Sequence, residues 1–497
     1  MTKNSFDTHF SVTEIKNNIK EHTVKSAKAS LLGQVIKSGL QVLLIAVLAR
    51  FINPSEYGIF AIVAIYTGLG MAVLDGGLSM ATIQKDTITH QQVSNLFWFN
   101  TITGASLTAI LALASPFIAD YFNEPELLPA LSATAFVFLI SGISVQHDAI
   151  LRRLMRFSDI VKIDLISFLI GSVVSISLAL NGYGYWALIS SYLTTAVVKS
   201  MLNWGYTKWR PSNLQRNVGT RPLISFGLKL AGSSFINLLS QNITPFALGS
   251  IAGAGFLGLY NRTFALASIP TRQAFPPLLN VLRPALSRVS DDPIRLRIVG
   301  MALLTKVCML TTFISSLLFL TAEGIILVML GDDWGNAVPI LKIVSMTAML
   351  SPVGSLTATI LIASGVGGTL LKWQLLNIIL LSLAIFIGSF WGAYGVLYSV
   401  LIFFIFIHIP LFFLYAAKFQ PIKFNDFLSS VYLPLISGIC TIALILLCKE
   451  VISFEAWISE FIFTFCSVIV VYFIFLFSAR STREHLLDLK NILKHKI

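Results

Sequence analysis

About fourteen apolar runs of roughly 20 residues divide this chain, and as a helix rising 1.5 Å per residue each is long enough to cross about 30 Å of hydrocarbon. They begin near Ala29, Tyr57, Val93, Leu127, Ile160, Tyr183, Leu223, Phe256, Ile298, Val338, Leu375, Tyr394, Val431 and Trp457. With 56% hydrophobic and only 12% charged residues, a water-soluble globule of 497 residues is excluded. A backbone in lipid must satisfy its own hydrogen bonds, so the expected fold is an all-α polytopic membrane protein.

The net charge of +12 is arranged by topology and gives no reason to expect a nucleic-acid partner. Arg152, Arg153 and Arg156, then Lys208, Arg210, Arg216 and Arg221, then Arg283, Arg288, Arg295 and Arg297, then Lys418 and Lys423 fall in alternate loops. The tail adds Arg480, Arg483, Lys490, Lys494 and Lys496, whereas the intervening loops carry Asp120, Glu124 and Glu126, or Asp332 and Asp333. The positive-inside rule then puts both termini in the cytoplasm, with some attraction to anionic membrane lipids. The polar N-terminal stretch is followed by a full-length span and does not read as a cleaved signal peptide. Ser11 and Glu14 are spaced as a capping box, so this stretch is either a short amphipathic surface helix or a disordered basic tail. Cys308, Cys440, Cys448 and Cys466 lie inside apolar runs, with neither disulfide nor metal spacing, and read as small hydrophobes.

Shifting the chain by 200 positions lays the first span on the seventh: Lys37 meets Asn237, Gln41 meets Gln241, and Gly58 meets Gly258. Residues 33, 37 and 41 share a helical face, as do 233, 237 and 241, so each half turns a polar stripe away from lipid. Farther on the offset grows to 211, where Tyr183-Gly184 meets Tyr394-Gly395. Six spans per half preserve orientation, which implies two lobes related about the membrane normal, with a central cavity between them. The expected organisation is a polar tail over 1–27, an N-lobe over 28–215, a C-lobe over 216–420, an extra helix pair over 421–478 and a basic tail over 479–497. Asparagine and glutamine in membrane helices also serve as packing glue, which is the other reading of Gln41 and Gln241.

The stretch "GLYNRTFALASIPTRQAFPPLL" places Asn261, Arg262 and Arg272 in an apolar span with no acidic residue between or beside them. An uncompensated charge at mid-bilayer costs at least about 3 kcal/mol. Either both arginines look into a polar cavity, or Arg262 bonds an outer loop and Arg272 reaches the headgroups. Pro270, Pro276 and Pro277 permit bends there. Lys37, Lys199, Lys229 and Lys306 join them inside spans, against only Asp75 and Asp164. A cavity with that excess attracts an anion, and guanidinium geometry favours phosphate. Asp75 is either a gate or ion-coupling residue or the partner of a nearby cation; His147 and Asp148 are either a proton-linked pair or polar residues at a helix end. No catalytic, metal-binding or cofactor motif occurs: HExxH, a P-loop and GxSxG are all missing.

"SVQHDAILRRLMRF", "LGLYNRTFALASIPTRQAFPPLLNVLRPALSRVSDDPIRLR", "LARFINPSEYGIFAIV" and "LDGGLSMATIQ" resemble the Wzx-type polysaccharide flippases, in their colanic acid exporter-like branch, over about residues 25 to 480. That family belongs to the multidrug/oligosaccharidyl-lipid/polysaccharide exporter superfamily. The resemblance implies a twelve-plus-two-helix transporter of the bacterial inner membrane that flips undecaprenyl-diphosphate-linked oligosaccharide for surface polysaccharide biosynthesis. The resemblance further implies a transporter and not an enzyme, with H+ or Na+ as candidate coupling ions and polysaccharide polymerase and export proteins as candidate partners. Arg262 and Arg272 fall within the matching text, whereas Lys37 and Lys229 rest on span position alone. The expected site is a cationic and polar cavity of Arg262, Arg272, Lys37, Lys229, Gln41, Asn237, Gln241 and Asn261, with Asp75, His147 and Asp148 as candidate gate or coupling residues. A MATE-like drug exporter and a membrane-bound polysaccharide polymerase or ligase are the alternatives.

Overall fold

The computed structural model describes residues 19–85, 87–288, 292–364, 366, 368–420, 422–452 and 457–478, and for 19–31, 229–230, 233–234, 272–288, 349–351, 363 and 477–478 the backbone alone. The N-terminal capping box and the basic C-terminal tail lie outside the described residues. Everything regular that is described is helical. The first elements are α1 (Ile19–Leu48), α2 (Pro54–Asp75), α3 (Leu78–Gln84), α4 (His90–Phe122), α5 (Leu127–Gly142), α6 (Val145–Arg153), α7 (Phe157–Leu180) and α8 (Tyr185–Thr207). A long run, α9 (Arg221–Arg288), is followed by α10 (Pro293–Leu320), α11 (Ala322–Met329), α12 (Ala337–Ala363), α13 (Thr369–Ser389) and α14 (Gly392–Ile402). A π-helical turn, Phe403–His408, leads into α15 (Ile409–Ala416), and α16 (Phe424–Val451) and α17 (Trp457–Ser478) close the chain.

Every expected span start falls in or next to one of these helices. Among the described residues, ten helices are long and apolar enough to cross a membrane, or eleven when α5 and α6, bent by 41°, count as one. The difference from fourteen has three sources. The apolar part of α1 is only Leu32–Leu48, α8 is helical but does not pass that test, and Phe235–Thr271 counts as one span of 37 residues. That last stretch is two helices in a row, because Gly253 (φ 75, ψ −179) breaks α9. The break falls at a glycine, the residue for which positive φ carries no Cβ penalty. Helix starts follow local chemistry: Asn53 with Glu56, and Thr89 with Gln92, form capping boxes, and Asp292 caps α10 ahead of Pro293.

The chain forms two compact units, Met1–Gly258 and Leu259–Ile497. In the first, α4 pairs with α5 and α7 with α8, while α1 lies along α7. Its interior holds a polar thread. Asn100 donates to the Leu74 carbonyl at 2.7 Å, Gln146 donates to Asn100 at 2.9 Å, and Thr82 donates to Gln146 at 2.8 Å. All three side chains are buried, and each finds a partner as burial requires.

In the second unit, α10 is the hub for α12, α16 and α17. Hydroxyl side chains bond the helices together: Tyr472 donates to the Met309 carbonyl at 2.7 Å and lies 2.6 Å from the Thr312 hydroxyl, and Ser315 donates to the Ser345 carbonyl at 2.8 Å. Arg297 grips Asp426 through two bonds of 2.8 and 2.6 Å, joining the starts of α10 and α16. The final helix pair is thus fastened to α10 along its length.

Candidate functional site

The cations expected inside the spans divide into those already neutralised and those still available. Lys199 pairs with Asp164 at 2.7 Å, so the two cancel and Lys199 drops out of the cationic excess. Lys306 and Arg262 each have an interaction partner, and Arg262 is half-buried. Lys37 is half-buried, and Gln41, Asn237 and Gln241 are exposed on otherwise apolar helices. No hydrogen bond from these four side chains, or from the half-buried Asn261, occurs among the described residues. Packing glue would join helices through such bonds, and among the described residues these side chains make none. Lys229 and Arg272 lie in α9 where the backbone alone is described, and their side chains fall outside the described residues.

The arm of α9 that leads to Arg262 crosses α2 at van der Waals distance. A Cβ placed on Gly258 would overlap the Pro54 carbonyl and lie 2.8 Å from the Gly58 nitrogen; one on Gly58 would overlap the Ala254 carbonyl and lie 2.8 Å from the Ala254 Cα. The contacts are reciprocal under the 200-residue shift, since Pro54 matches Ala254 and Gly58 matches Gly258. Pro54 touches Gly258 as Gly58 touches Ala254, the pattern of a pseudo-two-fold contact. Asn261 and Arg262 follow Gly258 within about one helical turn.

The arginines of "RRLMRF" are structural. Arg152 donates from Nε to Asp148 at 2.6 Å. Arg153 is 5% exposed and donates to the carbonyls of Thr82 at 2.8 Å and Lys85 at 2.6 Å, closing the last turn of α3. Arg156 binds Asp159 at 2.7 Å and the Tyr206 carbonyl at 3.0 Å, tying α7 to the end of α8. Asp75 has a buried Oδ1 with no hydrogen-bond partner among the described residues, and its charge acts on Arg152 together with Asp148 and Asp164. His147 and Asp148 part company: Asp148 faces Arg152, whereas His147 is fully buried, stacked 4.3 Å from the Trp204 ring centroid and edge-on to Trp209 at 5.0 Å.

Two features lay beyond the sequence reading. The segment 208–220 is stitched to the first turns of α4. Gln91 donates to the Asn213 carbonyl at 2.7 Å, Gln92 to that of Val218 at 2.9 Å, Asn95 to that of Gln215 at 2.7 Å and Trp98 to that of Ser212 at 2.9 Å. The cluster of amides in "HQQVSNLFW" was the available signal. In the second unit, His408 Nδ1 lies 2.5 Å from Asn377 Oδ1 at the end of the π-helical turn, where Pro410 withholds a backbone donor. A histidine within "FFIFIHIPLFF" flags that position by itself. Of the cysteines, Cys308 is buried as expected, whereas Cys466 is exposed.

Ten or eleven lipid-length helices among the described residues, with polar side chains exposed on several of them, make this a polytopic membrane protein in class. The chain belongs to the polysaccharide biosynthesis protein family, which it matches over residues 47–339. Among relatives, it is 27% identical over 386 residues to the lipopolysaccharide biosynthesis protein WzxC of Escherichia coli (strain K12), covering 76% of this chain and 78% of that one. It is 26% identical to the teichuronic acid biosynthesis protein TuaB of Bacillus subtilis (strain 168), covering 74% and 77%. It is 24% identical to the succinoglycan biosynthesis transport protein ExoT of Rhizobium meliloti (strain 1021), covering 73% and 74%. In fold it is similar to the lipid II flippase MurJ, with a TM-score of 0.69, 15% identity, and coverage of 89% of this chain and 97% of that one. A MATE multidrug transporter follows with a TM-score of 0.60, 15% identity, and coverage of 76% and 93%.

Proposed function

We propose that this protein flips undecaprenyl-diphosphate-linked oligosaccharide repeat units across the bacterial inner membrane, with both termini cytoplasmic, to supply surface polysaccharide synthesis. The observation that carries the reading is the polar stripe: Lys37, Gln41, Asn237 and Gln241 are accessible on membrane helices and make no hydrogen bonds among the described residues. Polar groups in that state line water, because in lipid each would cost free energy that only a partner offsets. The diphosphate is held by Arg272, Lys37 and Lys229 and passes toward Arg262, while the polyprenyl tail remains in lipid. Lobes 28–215 and 216–420 alternate in access, and 421–478 travels with the second lobe because α16 and α17 are fastened to α10. Asp75, whose charge acts on Arg152, is a candidate for the residue through which a H+ or Na+ gradient would act, the partner of that cation being the other reading. The flipped unit passes to polymerase and export proteins.

A drug exporter selecting cations requires an acidic cavity, and the available charges here are basic. The experiment is depletion of the protein in cells, followed by assay of lipid-linked oligosaccharide and surface polymer. Repeat units facing the cytoplasm should accumulate while surface polymer falls. Repeat units that still reach the outer face but stay unpolymerised would assign the protein a later step and overturn the reading. Arg272→Ala at normal protein level should abolish surface polymer, whereas Arg272→Lys should retain part of it.

A further inference from the structure

A cavity of about 690 Å³ lies within the Leu259–Ile497 unit, where the ends of α10, α11 and α16 meet the starts of α12 and α17. Convergent helix ends place it at a membrane face, and Trp457, 45% exposed at the start of α17, is the kind of residue that settles at headgroup level. Its walls include Leu320, Ile326, Leu327, Val338, Leu446 and Phe461. Against these apolar walls stand five charged residues among the described ones. Lys449 is spent on Glu460 at 2.7 Å. Lys342, Glu323 and Asp332 are not: no ion pair or side-chain hydrogen bond engages them among the described residues, although all three line the same cavity.

From this arrangement we infer a binding site for a zwitterionic phospholipid whose headgroup carries a phosphate and a primary ammonium. A lone cation near two lone carboxylates, held apart so that they do not pair with one another, matches a ligand bearing both signs. The phosphate sits on Lys342, and the three N–H donors of the ammonium suit the Glu323 and Asp332 carboxylates. A quaternary ammonium offers no such donors and is better served by an aromatic cage. The volume is of the size that ligand sites use and admits the headgroup with the first part of its acyl chains against the leucine and phenylalanine walls. The site is separate from the polar stripe proposed for the transported lipid. It lies on the face of the loop containing Asp332 and Asp333, opposite the basic loops, so the lipid comes from the outer leaflet if the topology above holds.

The test is binding to the purified full-length protein in detergent, using phosphatidylethanolamine, phosphatidylcholine, phosphatidylglycerol and soluble phosphoethanolamine as probes, read by native mass spectrometry and by lipid-dependent thermal stabilisation. Phosphatidylethanolamine should bind at least about tenfold more tightly than the other three, a preference that charge-assisted bonds can supply. Lys342→Ala and the double variant Glu323→Gln/Asp332→Asn should each remove that preference, whereas Glu450→Gln, outside the cavity, should leave it intact and controls for folding. Equal binding of the choline lipid, strongest binding of the glycerol lipid, or a preference that survives both variants would each overturn the assignment. Equal binding of soluble phosphoethanolamine would overturn the lipid source while leaving the headgroup chemistry. Because binding is read in detergent without transport, its failure is distinguishable from failure of the flippase reading.

Discussion

Substituting Gly58 or Gly258 by alanine tests the reciprocal crossing of α2 and α9 most directly. A Cβ on Gly58 would lie 2.8 Å from the Ala254 Cα, and one on Gly258 would lie 2.8 Å from the Gly58 nitrogen and 2.9 Å from the Pro54 carbonyl carbon. Carbon contacts settle near 3.5–4.0 Å and the carbonyl oxygens of Ala254 and Pro54 are overlapped more deeply still, so the two backbones must part by more than about 1 Å. The obstructing atoms are backbone and cannot rotate aside, which puts each substitution at the upper end of the overpacking range, about 3 kcal/mol. Both substitutions pry at one contact, so the double variant Gly58→Ala/Gly258→Ala should cost about as much as either single one, far short of the sum. Gly255 is the control: it has nothing within 4 Å of a built Cβ, and alanine there should be neutral or stabilising by up to about 1 kcal/mol. Thermal unfolding of the four purified proteins, together with wild type under one detergent condition, reads the order. Wild-type stability for Gly58→Ala, or losses that simply add in the double variant, would refute the crossing.

Two further outcomes follow from side chains already described. Asn95→Ala removes two bonds to Gln215, of 2.7 and 3.1 Å, and should unfasten segment 208–220 by about 2 kcal/mol; hydrogen exchange at residues 212–220 should quicken, and exchange no faster than wild type would count against the stitching. Breaking the Lys199–Asp164 pair on one side leaves a charge alone within a span, so Lys199→Met and Asp164→Asn should each lower membrane abundance, with the double variant recovering part of the loss; no recovery would mean that the 2.7 Å contact is not the stabilising one.

Length and apolarity were sufficient to give the helices, their number to within the treatment of α1, α8 and α9, and the membrane setting, because in lipid hydrogen bonding is satisfied inside each segment. The same sequence placed Lys37, Gln41, Asn237 and Gln241 on matched faces and paired Gly58 with Gly258 by a fixed offset, since a repeat conserves position in the chain. Which charges are spent was decided by tertiary structure alone. Lys199 finds Asp164 across 35 positions, Arg153 finds the carbonyls of α3 across about 70, and Arg297 finds Asp426 across 129. Composition counts such groups as cations alike, but neutralisation depends on distance, and distance between helices is set by packing. The same holds for the break at Gly253, and for the cavity around Lys342, whose walls come from five helix ends that the sequence keeps far apart. Periodicity reports what each helix offers, while only the packed chain fixes which offers are taken up by a neighbour and which are left for a ligand.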